Sequence, residues 1–123
     1  MNECEVGIIE GAEGTRILKL EGPLTLMTLF KFQDLVRTIE SPRLILDLSG
    51  VPYMDSAGLG SVLAAYVSSQ RHGRKFALAN VSPRILTLLQ VTHVDTILPR
   101  YESVEAAEAQ LQKVSHSDGC GAT

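Results

Sequence analysis

The residues with the most chemical content lie in one run, Asp47-Leu48-Ser49-Gly50-Val51-Pro52-Tyr53-Met54-Asp55-Ser56-Ala57-Gly58-Leu59-Gly60. It reads as the end of a strand, a short apolar link and the start of a helix. Asp55 or Ser56 is placed to cap that helix, accepting from first-turn N–H groups that have no partner within the helix. Gly58 and Gly60 follow in the same turn, where each glycine costs about 1 kcal/mol relative to alanine. Two explanations fit them. One is close packing of the helix on the sheet. The other is the approach of a second molecule's backbone, or of an anion, to the exposed N–H groups.

Enzymatic patterns fit this run poorly. A phosphate-binding loop needs a Lys after its second glycine, and none follows here. A dinucleotide fingerprint needs a third glycine where Leu63 stands. A nucleophile elbow needs glycine where Met54 stands. A serine hydrolase would also need a histidine partner; His93 is the candidate, and between Thr92 and Val94 it reads as a loop or packing residue. Asp47 and Asp55 have no His or Cys set beside them, so neither a metal nor a cofactor is expected. Cys4 and Cys120 lie at opposite ends of the chain, with no metal-ligand spacing, and fit free thiols in a reducing compartment.

The elements that must position this run are legible from apolar spacing. The chain has 123 residues, 45% hydrophobic and 20% charged, enough for one domain with a modest core. A net charge of -3 and the absence of Trp argue against a nucleic-acid binder. The basic group Arg71, His72, Arg74 and Lys75 reads as a solvated helix end. No apolar run approaches the ~20 residues needed to span a bilayer, and the N-terminus lacks a secretory pattern, so a cytoplasmic protein is expected.

Residues 5–10 and 15–20 read as a hairpin around a glycine turn. Over residues 26–40, Leu29, Phe32, Val36 and Ile39 mark one helix face. Residues 44–48 suit a strand buried on both faces. Leu59, Val62, Leu63, Tyr66 and Val67 mark the helix opened by Asp55-Ser56, which Gly73 ends. Residues 76–79 form another buried strand. Ser82-Pro83 opens a third helix, with Ile85, Leu88 and Leu89 on its apolar face. Residues 96–98 suit an edge strand. Ser103 caps a last helix with Val104, Ala107, Leu111 and Val114 inward, and the small polar residues 115–123 are expected to be a disordered tail. The order β-β-α-β-α-β-α-β-α predicts an α/β domain with parallel central strands. Sites in such sheets collect at the carboxyl ends of strands, which returns attention to the loop after residues 44–48.

The run from Asp47 to Gly60 resembles the motif of the STAS domain family, and within it that of bacterial anti-sigma factor antagonists. The element order, the chain length, the Gly22-Pro23-Leu24 turn and the last amphipathic helix are similar too, so the resemblance covers residues 6–114. It implies a single STAS domain over residues 1–114, with a mixed sheet, a largely parallel centre and helices mainly on one face. It also implies a regulatory protein without catalysis, which binds an anti-sigma factor serine kinase of the histidine-kinase-like ATPase fold and so frees a sigma factor. In that family the kinase phosphorylates the serine after the motif aspartate, which releases the antagonist, and a serine phosphatase resets it.

Carried onto this chain, the phosphoacceptor is Ser56, and the partner-binding residues are Leu24, Thr25, Asp55, Ser56, Ala57, Gly58, Leu59 and Gly60. Thr25 stands where many members have Asp; it can still cap the following helix but brings no carboxylate to a partner. Ala57 stands where many antagonists have a second Ser or Thr. That departure also resembles the small STAS subunits of bacterial lipid-transport complexes, which dock on an ATPase subunit. This is the alternative reading, and it carries no phospho-switch.

Overall fold

The computed structural model describes residues 3–11 and 14–111. In chain order the elements are β1 (Glu5–Glu10), β2 (Thr15–Glu21), α1 (Phe30–Thr38), β3 (Arg43–Gly50), α2 (Ser56–Arg71), β4 (Lys75–Ala79), α3 (Pro83–Val91) and β5 (Arg100–Tyr101). A further helix, α4, is described over residues 104–111. The strands form one five-stranded sheet in the order β1-β2-β3-β4-β5. The β1–β2 pair is antiparallel and the other pairs are parallel. The expected mixed sheet with a parallel centre is therefore the observed one.

Strand periodicity divides the core in two. Leu18, Leu20, Leu44, Leu46, Leu48, Phe76 and Leu78 point to one face, where Phe32 and Val36 of α1, Leu59 and Val62 of α2, and Ile85 and Leu89 of α3 cover them. Ile17, Ile45, Ala77 and Ala79 point to the other, under Ala107 and Leu111 of α4. β3 is buried on both faces, as its near-continuous apolar sequence requires.

Helix ends follow local chemistry. Both α2 and α3 finish with a left-handed residue, Gly73 at φ 68° and His93 at φ 64°. After α3, the His93 and Val94 N–H groups return to the Gln90 and Leu89 carbonyls at 3.1 and 3.0 Å. After α2, Gly73 and Arg74 do the same to Gln70 and Ser69, at 3.1 and 2.7 Å. His93 is thus an exposed helix-closing residue. Ser103 caps α4, its Oγ accepting from the Ala106 N–H at 3.0 Å.

Four expectations need correction. The first helix begins at Phe30 rather than at residue 26. Residues 26–29 belong to a turn in which Thr28 Oγ1 donates to the Pro23 carbonyl at 2.7 Å and accepts from the Thr25 N–H at 2.9 Å. Thr25 therefore closes that turn and does not cap α1, whose cap residue, Leu29, makes no side-chain cap bond. The last strand is Arg100–Tyr101, not residues 96–98. There the Ile97 and Leu98 N–H groups both bond the Val94 carbonyl, so a local turn takes the donors that a ladder would use. Cys4 is a core residue rather than a tail thiol, and its burial pushes the thiol pKa up. Val114, Cys120 and the tail lie outside the described residues.

Candidate functional site

At the carboxyl ends of β2 and β3 the chain makes two loops that are stitched together. Gly22, at φ 105°, donates its N–H to the Gly50 carbonyl at 2.8 Å. Leu24 then forms an isolated parallel bridge with Met54. Its N–H donates to the Tyr53 carbonyl at 3.1 Å, and its carbonyl accepts from the Asp55 N–H at 3.3 Å.

Asp55 is the hinge of this arrangement. It is the N-cap of α2, and its two carboxylate oxygens have separate duties. Oδ1 accepts from the Gly58 N–H at 2.8 Å, satisfying a free donor of the first helical turn. Oδ2 accepts from the Leu26 N–H at 3.2 Å, tying the first loop to the helix start. The bond from Gly58, with those from Leu26 and Ala57, holds this exposed carboxyl below the usual range. Since Asp55 is the cap, Ser56 is the first helical residue, exposed, and its hydroxyl is spare.

The two glycines of this turn differ. A Cβ on Gly58 would run into the Leu24 carbonyl oxygen and the Met54 side chain, so the loop crossing requires glycine. A Cβ on Gly60 would meet nothing within 4 Å. Close packing therefore explains Gly58, though against the Leu24 loop and not the sheet. Gly60 is open to solvent.

The other named residues separate by burial. Leu24, Gly58 and Leu59 are in the core, where their side chains or backbone shape the site from beneath. Thr25 and Ala57 are half-buried, while Asp55, Ser56 and Gly60 are exposed. The loop's outward apolar surface comes instead from Leu26, Phe30 and Met27, the last 84% exposed. The apolar spacing predicts a helix over all three; Phe30 does open α1, whereas Leu26 and Met27 lie in the turn before it. Met27 and Phe30 fall off the Leu29-Phe32-Val36-Ile39 stripe, whereas Leu26, three residues before Leu29, continues its spacing and carries no such signal. Tyr53 adds an exposed ring, with the Arg84 guanidinium 5.4 Å from its centroid.

Asp47 lies apart from this work. It is buried, and burial alone would raise its pKa, but bonds from the Asn80 side chain and the Ser49 N–H, both at 3.0 Å, more than reverse that. The result fastens the end of β3 to the end of β4. Among the described residues no group of three or more His, Cys, Asp or Glu could hold a metal ion. None of the described helices is long and apolar enough to cross a membrane.

Comparison with known proteins agrees with this architecture. The STAS domain family model matches residues 8–107. The chain belongs to the STAS domain family. Among curated relatives, this STAS chain is 27% identical over 111 residues to an anti-sigma F factor antagonist of Paenibacillus polymyxa, covering 87% of this chain and 95% of that one. Its fold matches an anti-sigma factor antagonist from Mycobacterium paratuberculosis with a TM-score of 0.79 at 20% identity, over 89% and 94% of the two chains. It also matches a sulfate transporter family protein from Wolinella succinogenes, with a TM-score of 0.78 at 19% identity, over 88% and 93%. The STAS fold is thus common to regulators and transporter-linked proteins.

Proposed function

We propose that this STAS domain is an anti-sigma factor antagonist, a regulatory binding protein rather than an enzyme, switched by phosphorylation at Ser56. In the unmodified state it binds a cognate anti-sigma factor serine kinase in the cytoplasm and frees the sigma factor. Phosphate on Ser56 releases it, and a serine phosphatase restores it. The observation that carries this reading is the division of labour at the start of α2: Asp55 caps the helix, leaving the Ser56 hydroxyl exposed and unneeded by the fold.

The electrostatics support a switch of binding and not of folding. A phosphate at the first helical position meets the positive end of the helix dipole and backbone N–H donors, so the modified domain stays folded. It adds about -1.5 to -2 charges to a surface flanked by exposed Leu26, Met27, Phe30 and Tyr53. A partner that covers this apolar rim must desolvate that charge.

The test is capture from lysate of the native host on wild type, Ser56→Ala and Ser56→Asp, followed by mass spectrometry. An ATPase of the histidine-kinase-like fold held by the first two and lost from the third is the expected result. Labelling of Ser56→Ala by that kinase and ATP would sink the assignment of the phosphoacceptor. A transporter ATPase held equally by all three would replace the antagonist reading with the lipid-transport one. Reaction of Ser56 with a fluorophosphonate probe would revive a hydrolase.

A further inference from the structure

The two edges of the sheet are unlike. β5 offers two residues, Arg100 and Tyr101, to any further strand. β1 offers six, Glu5 to Glu10, and no described strand pairs with its outer side. Its register with β2 runs unbroken from Glu5↔Glu21 to Glu10↔Arg16. It has no proline, no bulge and no lysine; of the usual devices that protect an edge it carries only the charges of Glu5 and Glu10, one at each end. Both apolar layers of the domain run out to it. On the helix-covered face Ile8 sits beside the core residue Leu18, and on the opposite face Ile9 sits beside Ile17. Each of these isoleucines is 46% exposed.

We propose that β1 pairs antiparallel with the β1 of a second copy of this chain, extending the sheet across a two-fold axis. The sequence of the strand suits that occupant. A two-fold axis normal to the sheet keeps each copy's faces aligned, so only residues of equal parity can stand opposite one another. Glu5 and Glu10 differ in parity and never oppose each other. Each also has its own cation, Lys31 Nζ at 3.5 Å from Glu5 and Arg16 Nη2 at 3.5 Å from Glu10. Centred on Ile8, the pairing stacks Ile8 on its mate and lays Ile9 over Gly7, whose Cβ position has nothing within 4 Å. Both exposed isoleucines then gain apolar or open neighbours, and the outer backbone groups of two identical edges, paired by no described strand, satisfy each other. One short strand pair is small beside the ~1,200–2,000 Å² of a standard interface, so a weak dimer is expected, and the test is set for a Kd of about 10–100 µM.

Sedimentation velocity of the full chain, from about 1 to about 500 µM, tests this against that Kd. Wild type shifts from monomer toward dimer across the range. Ile8→Lys sets two lysines opposite each other and weakens dimerisation by at least about tenfold; Ile9→Lys, which lies over Gly7 and loses only the apolar contact, weakens it less, and Val67→Lys on α2 has no effect. A monomer throughout, or a dimer equally strong in both isoleucine variants, overturns the proposal. Hydrogen exchange on wild type keeps the test sound if a variant unfolds: the β1 amides gain protection at the higher concentration, and unchanged protection refutes the pairing.

Discussion

In α3 a serine is the cap. Ser82 Oγ accepts from the Ile85 N–H at 3.2 Å, Pro83 follows at the first helical position, and the hydroxyl is engaged by the fold. In α2 an aspartate takes that place and the serine moves one residue inward, to Ser56, where the fold makes no use of it. The Asp55 carboxylate also does what Ser82 does not: its second oxygen reaches a loop 29 residues away in sequence. Two first turns at neighbouring strand ends thus share one capping chemistry. Only one of them leaves a nucleophilic hydroxyl exposed, set against a loop whose apolar residues face solvent.

The largest expected effect tests that contrast directly. Ser56→Asp lowers affinity for the captured kinase more than a hundredfold, about 3 kcal/mol, while Ser82→Asp leaves it unchanged because aspartate is as good a cap. Isothermal titration calorimetry on both variants reads the difference; equal losses would erase the distinction between the two turns.

Next in size is Gly58→Ala. The added methyl meets backbone, which cannot swing aside, and the domain loses about 1–3 kcal/mol in urea unfolding. No loss would mean that the Leu24 loop yields more easily than its hydrogen bonds suggest.

Removing the caps comes third. Asp55→Ala costs about 1–2 kcal/mol, and Ser82→Ala, which breaks no inter-loop bond, about 1 kcal/mol. The Asp55 contribution also depends on pH. Its carboxyl is depressed in the folded state, so the stability it supplies is full above the unfolded pKa of about 3.9 and fades as pH falls through the lower folded value. Asp55→Asn therefore flattens part of the acid limb of the stability–pH curve, with Asp47, also depressed, supplying another part. A variant whose acid limb matches wild type would remove Asp55 from the account.

The smallest effect is a gain. Gly60→Ala, with open space around the new methyl, stabilises α2 by about 0.5–1 kcal/mol. If Gly60 faces the partner, the same variant binds the kinase less tightly. Stabilisation with unaltered binding would confine the partner surface to the helix tip and the Leu26–Phe30 loop.

The sequence by itself determined the element order, the inward stripes of the helices, the doubly buried β3 and the strand–loop–helix run around Ser56. Those features rest on periods of 3.6 and 2 residues and on caps and turns made between near neighbours, all of which are written locally. It could not choose between Asp55 and Ser56 as the cap, nor separate Gly58 from Gly60. Each choice hangs on the Leu24–Leu26 backbone, far away in the chain and brought alongside only by folding. Where the last strand pairs, why Cys4 is buried, and that Leu26, Met27 and Phe30 stay exposed were likewise decided by tertiary structure. Burial depends on which surfaces meet, and a residue's own type carries only half of that information.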